Sequence, residues 1–331
     1  MHRFVFAIVL LFFHTSLFAG DLVRYPEAKA SFHERVQWAF ESARGKTYFW
    51  TGYSVSRLMY PDEIFLSGVS FNGGIRFDKS RPSLQEWISG VKIVPQHDVR
   101  KAAQTELNRL DNRKAGKVWK EIGIFQGFQR GQMIPDKICV IDFSVSHNFD
   151  QTLFWLGSVS HEESFQYLAD LYTKIQKAEE KEDLIAAIGI HPPALSFPFF
   201  KKILTGKEPQ EAQESAAIFA GELGTPEALN LLREVAEKNP WKDVRESAIV
   251  GISEMGTPES LKVLTQVAWF DSNSDIRETA VVMLGESENG VPALLKIMES
   301  HPSAETREAA VNILAETVAG REVLKKKVKQ D

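Results

Sequence analysis

A small β-containing α+β domain followed by an all-α, right-handed stack of helical hairpins is the architecture that this 331-residue sequence predicts. Three observations carry that prediction. The C-terminal half repeats itself every 32 residues, the N-terminal half consists of aromatic and β-branched runs between turn signals, and the texture changes near Phe149. The length suits two compact units, because a single core usually stops growing before this size. At 44% hydrophobic and 25% charged residues the composition is that of a globular chain.

The first twenty residues stand apart. His2 and Arg3 give a short positive start, Phe4 to Phe13 form an unbroken apolar run, and Leu17-Phe18-Ala19-Gly20 ends on small residues. This is the pattern of a secretory signal peptide over 1–20, cut after Ala19 or Gly20. The run breaks at His14-Thr15-Ser16, too short for a hydrocarbon core of ~30 Å that needs ~20 helical residues, so no stable membrane insertion is expected after cleavage. No cysteine follows the cut, which closes the acylated-lipoprotein route. The expected location is therefore exported, in the periplasm or outside the cell. Cys139 is the only cysteine, so no intrachain disulfide forms. The net charge is −5, or −6 once Arg3 leaves with the leader, and the only dense basic run is Lys325-Lys326-Lys327. That balance argues against a nucleic-acid ligand.

The expected N-terminal domain spans 21–149. It begins with a helix over Glu27–Ala43, whose Phe32, Val36, Ala39, Phe40 and Ala43 share one face. Tyr48–Ser56 and Glu63–Phe71 read as strands, with a hairpin turn at Phe71-Asn72-Gly73-Gly74-Ile75, since Asn-Gly accepts positive φ at both central positions. A polar stretch from Gln96 to Lys120 reads as partly helical. Glu121–Phe128 and Lys137–Val145 form a second strand pair across Pro135-Asp136. Cys139, Ile141, Phe143 and Val145 alternate onto one face of the latter, which predicts a buried thiol.

The helical region is expected over 150–320, with a basic tail at 321–331. Its signature, Glu211-Ala212-Gln213-Glu214-Ser215-Ala216, returns as Asp243-Val244-Arg245-Glu246-Ser247-Ala248, as Asp275-Ile276-Arg277-Glu278-Thr279-Ala280, and finally as Glu305-Thr306-Arg307-Glu308-Ala309-Ala310. Asp243 and Asp275, with Glu246 and Glu278 three residues on, read as capping boxes opening each first helix. A second signature, Gly224-Thr225-Pro226-Glu227, recurs as Gly256-Thr257-Pro258-Glu259. There the glycine suits a left-handed helix end, and threonine followed by proline suits the start of the next. Ala228, Leu229, Leu231, Leu232 and Val235 repeat as Leu261, Val263, Leu264 and Val267 at helical spacing. Neither helix buries its stripe alone, so hairpins must stack. Degenerate copies run back through Ile188-Gly189 to Leu156-Gly157, which starts the stack near Asp150 and gives about five hairpins plus a closing helix at Glu305–Val318.

The D-x-R-E and G-T-P-E-A-L patterns resemble bacterial HEAT repeats, including the short subtype found in phycobilisome lyases. Trp50-Thr51-Gly52-Tyr53 and Phe154-Trp155-Leu156-Gly157-Ser158-Val159, followed by Glu162-Glu163-Ser164, are similar to stretches of exported bacterial HEAT-repeat proteins. The resemblance implies a fold and no settled activity.

No catalytic constellation stands out. His33-Glu34 and His161-Glu162 are the His-Glu pairs that a HEAT-type di-iron hydroxylase family uses four times, but here they do not recur at the repeat spacing or extend to H-E-x-x-H. His191-Pro192-Pro193 sits in a turn. Cys139 has no partner histidine tied to it by spacing, and no phosphate-binding glycine loop is present. The repeated Arg245, Arg277 and Arg307 suit an ion ladder between repeats. The sequence thus predicts a non-enzymatic scaffold, with no metal and no cofactor, whose second helices present Asn230, Lys262 and Lys296 as a row, flanked by Arg233, Thr265 and Glu299, to a protein or peptide. Trp269-Phe270 and Trp241, in the turns that follow, are candidate anchors or gap fillers. The alternative is a small-ligand or lyase-like pocket between the two domains near Trp50 and Tyr53.

Overall fold

The computed structural model describes residues 20–26, 30–61, 63, 66–67, 75–77, 82–90, 116–287 and 289–327. Residues 1–19 of the expected leader, the Asn72-Gly73 turn and most of the polar stretch from Gln96 lie outside them. The described residues divide into two compact units between Ile175 and Gln176.

The first unit is built on a mixed six-stranded sheet, in the order β1 (Leu22–Arg24), β8 (Leu153–Ser158), β2 (Tyr48–Met59), β5 (Val118–Gln129), β6 (Lys137–Asp142) and β3 (Leu66–Ser67). β1, β8 and β2 run parallel, while β2, β5, β6 and β3 are antiparallel neighbours. A separate antiparallel pair joins β4 (Ile75–Phe77) to β7 (His147–Phe149). Two positions depart from the sequence reading. Val118–Lys120 belong to β5 instead of a helical stretch, and Leu153–Ser158, expected as the first degenerate repeat, form a strand inserted between β1 and β2. An apolar run buried on both faces has no period of two to betray a strand.

The sheet carries a core on each face. On one, Trp50, Phe125, Cys139, Ile141, Phe143 and Trp155 pack with Leu84 and Ile88 of α2 (Leu84–Ser89) and with Phe149. Cys139 is buried, as its alternation predicts. On the other face, α1 (Phe32–Ser42) sets Phe40 against Phe49 and Phe128 with ring centroids 5.5 and 4.8 Å apart. Phe32 meets both Tyr53 and Tyr167, the latter on α3 (His161–Tyr172). α1 starts where Ser31 and Glu34 form a reciprocal capping box.

The second unit is a run of helix pairs: α4 (Ala178–Gly189) with α5 (Pro193–Leu204), α6 (Gln210–Glu222) with α7 (Pro226–Lys238), α8 (Lys242–Glu254) with α9 (Pro258–Phe270), α10 (Ser274–Glu286) with α11 (Val291–Ser300), and α12 (Ala304–Glu316) with α13 (Val318–Lys327). α13 turns most of the expected basic tail into the second helix of the last pair. Each first helix packs on the first helix of the next pair, and the second helices form the other layer. Ala212, Ala216, Ala217, Ala220 and Ala248 are fully buried in the first layer, where small side chains let backbones approach.

The caps only partly follow expectation. Thr225 and Thr257 cap α7 and α9 ahead of Pro226 and Pro258, and Gly224 and Gly256 hold φ of 63° and 59°. Asp243 and Asp275, however, are not caps. Asn273 caps α10, while α8 has no side-chain cap. The two aspartates instead accept from Gln210 and Lys242 of the preceding pair at 2.8 and 2.9 Å. They tie one repeat to the next.

Candidate functional site

Equivalent helix starts place equivalent residues outward. The threonine caps and glycine turns fix how α7 and α9 leave the first layer, and burial of Leu232, Val235, Leu264 and Val267 fixes their rotation. Asn230 and Arg233 on α7, Lys262 on α9, and Lys296 and Glu299 on α11 lie on the outer side of the second helices, while Thr265 is half-buried and donates its hydroxyl to the Leu261 carbonyl at 2.8 Å. Arg233 donates to the Asn230 side-chain oxygen at 3.3 Å. Neither Lys262 nor Lys296 forms an ion pair among the described residues.

At the end of α9 this row meets an aromatic cluster. Trp269 is half-buried, with its ring centroid 5.0 Å from that of His301 and Lys296 Nζ standing 5.9 Å from its centre. His301 is buried. Its Nδ1 accepts from Ser303 N–H at 3.1 Å, which leaves the ring proton on Nε2, 3.3 Å from the Trp269 carbonyl oxygen that receives it. Trp269 therefore fills the gap between repeats and carries a lysine on its face. Its neighbour Phe270, with ring centroids 6.4 Å apart, is 80% exposed. His301 was not legible as a contributor, since it stands where the preceding repeats have Asn239 and Asp271. Trp241, 38% exposed, borders an open groove of about 530 Å³ between the C-terminal ends of α5 and α7, with Leu204, Lys207 and Val235 on its walls.

The repeated arginines act across repeat junctions chiefly through backbone carbonyls. Arg277 donates to the Asp271 and Ser272 carbonyls at 2.9 and 3.2 Å and to the Thr306 hydroxyl at 3.1 Å. Arg307 does the same to His301 and Pro302, and Arg245 joins the Ala236 carbonyl to the Asp271 carboxylate. Only this last contact is the ionic rung that the sequence suggests. Arg277→Ala should cost the helical unit about 2 kcal/mol, because three acceptors lose a charged donor, and a urea melt of the two chains will measure it.

The alternative pocket residues are not brought together. Trp50 and Tyr53 are both fully buried, on opposite faces of the sheet, Trp50 in the core with Phe149 and Tyr53 under Phe32, where it accepts from the Ser164 hydroxyl at 3.2 Å. Each fills a core instead of lining a shared cavity. The histidines of the two His-Glu pairs are also placed apart from one another's chemistry: His33 sits against Gln37 on α1, and His161 Nε2 against the Ser56 carbonyl. Among the described residues no group of three or more His, Cys, Asp or Glu side chains is arranged to hold a metal ion. No helix among them is long and apolar enough to cross a membrane.

Residues 197–285 match the family model described as HEAT repeats. Among solved structures the chain is similar to human deoxyhypusine hydroxylase in complex with glycerol, at 14% identity and a TM-score of 0.24, over 50% of this chain and 77% of that one. No curated protein matches.

Proposed function

We propose that this is an exported scaffold that holds a protein partner against the outer surface of its second helices and performs no catalysis itself. HEAT repeats over 197–285 supply a helical repeat platform of the kind suited to protein interaction. The observation that carries the reading is the 80% exposed Phe270 ring beside the half-buried Trp269, on whose face Lys296 stands, while neither Lys262 nor Lys296 on the same outer side has a carboxylate partner among the described residues. An exposed aromatic anchor next to a ring that carries a lysine fits a partner segment that offers an apolar side chain next to a carboxylate. The leader-like residues 1–20 support an encounter in the periplasm or outside the cell.

The test is a photoreactive amino acid at position 270 in the exported chain, with position 311, on the exposed face of α12, as the control. A specific light-dependent adduct is expected at 270, and it should fall at least tenfold when Lys262→Glu and Lys296→Glu are combined. An adduct that forms equally at both positions, or that survives the double charge reversal, refutes this surface.

A further inference from the structure

We infer that the β5–β6 hairpin is a peripheral membrane contact, whose apolar tip, Met133 and Ile134, enters a bilayer surface rich in anionic lipid. This surface lies wholly within the first unit, so the inference depends neither on export nor on the partner surface of the second helices. Met133 is 69% exposed and Ile134 36%, side by side in the connection between the strands. Single exposed apolar side chains are ordinary. This adjacent pair is different, because the hairpin is built to hold it outward. β5 ends at Gln129 and β6 begins at Lys137. Their connection is closed at its base, where Gln132 N–H donates to the Gln129 carbonyl and Asp136 N–H to the Gly127 carbonyl, both at 3.0 Å. Gly131 turns the chain with a φ of 78°, and Pro135 is buried.

The charges around the tip select its partner. Arg130 follows β5 and Lys137 opens β6, while Arg44 and Lys46 belong to the turn between α1 and β2. That turn reaches the same end of the sheet, since Arg130 N–H donates to the Thr47 carbonyl at 2.9 Å. None of these four cations forms an ion pair among the described residues. Two carboxylates share this side: Glu41 near the end of α1, and Asp136, which accepts from the Tyr48 hydroxyl at 2.8 Å and from Gln129 Nε2 at 3.0 Å. Asp21 and Asp150 precede β1 and β8, on the other side of β2 from the hairpin. An apolar tip with cations at its base matches the layering of a membrane surface, acyl chains inside and phosphate headgroups outside. Lysine and arginine stems lie along apolar surface while their charged ends stay at headgroup level. A protein partner with carboxylates would satisfy the cations but must also supply a cavity for the tip, whereas a bilayer deforms around it. Two apolar side chains bind weakly by themselves, so attachment is reversible and needs the charges.

The experiment is co-sedimentation of the full chain with phosphatidylglycerol vesicles and with phosphatidylcholine vesicles, beside Met133→Asp and the pair Arg44→Glu with Arg130→Glu. Any contribution of residues 1–19 is common to the three chains, so the differences among them report the hairpin. The native chain should prefer the anionic vesicles by about tenfold or more. Met133→Asp should lower that binding about tenfold and the double reversal about a hundredfold, with melting temperatures unchanged because the replaced side chains are exposed. A second measurement needs no loss of binding. Met133→Cys is labelled with a polarity-sensitive fluorophore, which reacts there alone because the native thiol, Cys139, is buried. Its emission should shift to the blue on phosphatidylglycerol vesicles. Absence of binding to those vesicles, equal binding to both lipids, binding unchanged by Met133→Asp, or a label that stays in water on bound vesicles each overturns the inference. So does capture by polyglutamate as tight as by phosphatidylglycerol, which would mark the cations as a site for an acidic polypeptide.

Discussion

Gly221→Val should destabilise the helical unit by about 3–4 kcal/mol, and even Gly221→Ala should destabilise it, although alanine in a helix interior normally gains about 1 kcal/mol over glycine. The reason is the crossing of α6 and α8. A Cβ on Gly221 would stand 2.1 Å from the Gly251 carbonyl oxygen and 2.6 Å from its Cα, and a Cβ on Gly251 would stand 2.4 Å from the Ala217 carbonyl oxygen. All of these are backbone atoms. No rotamer change relieves the overlap, so the two helices must part, and the fully buried Ala212, Ala216, Ala217, Ala220 and Ala248 lose the contacts that only close approach provides. Urea melts of the three chains decide the matter by sign as well as size. If Gly221→Ala raises the unfolding midpoint, helix propensity governs the site and the close crossing does not.

That crossing was half visible in the sequence. The 32-residue period, the Gly-Thr-Pro-Glu starts and the apolar stripes are local patterns, and local patterns encoded the helix pairs, their caps at Thr225 and Thr257, and the outward row from Asn230 to Lys296. What failed depended on distant partners. Leu153–Ser158 reads equally well as a buried helix or a buried strand, and only pairing with Leu22–Arg24, more than a hundred residues away, makes it β8. Asp243 and Asp275 look like caps because the chemistry of a cap is correct within one repeat. Their partners, Gln210 and Lys242, lie one repeat earlier, where a reading of single helices does not look. Trp50 and Tyr53 resemble a binding pair by their aromatic character, yet three residues along a strand places side chains on opposite faces, and here both faces are filled. Of the interaction surface, the lysines and Trp269 were legible from register. His301, which buttresses Trp269, was not, because the last clear repeat is two residues short and shifts the column in which it stands.

Asp183→Asn should stabilise the helical unit above pH 8 and make little difference near pH 4. Asp183 lies on α4, and burial, followed by the charges of Glu179, Glu182 and Glu180, pushes its carboxyl up to about 7. The folded state thus holds a proton that the unfolded chain has released above its ordinary value near 4. Stability depends on pH through the difference in bound protons, unfolded minus folded. That difference is negative between about 4 and 7, so stability falls as pH rises through this window and the loss is complete once the folded carboxyl has ionised. Below about 4 both states are protonated and the site contributes no slope. Glu182 adds to the same trend, since burial and then Glu211 and Glu214 of the next first helix raise its carboxyl as well. The full shift corresponds to an upper limit of about 4 kcal/mol, which solvent screening of a partly exposed helix face reduces to about 2–3 kcal/mol. The asparagine keeps the shape and cannot ionise. Thermal melts of both chains at steps from pH 4 to pH 9 should therefore diverge as pH rises, with the asparagine chain the more stable at every alkaline point. Parallel curves would mean that Asp183 ionises in the folded protein as freely as in water, and that the acidic face of α4 costs the fold nothing.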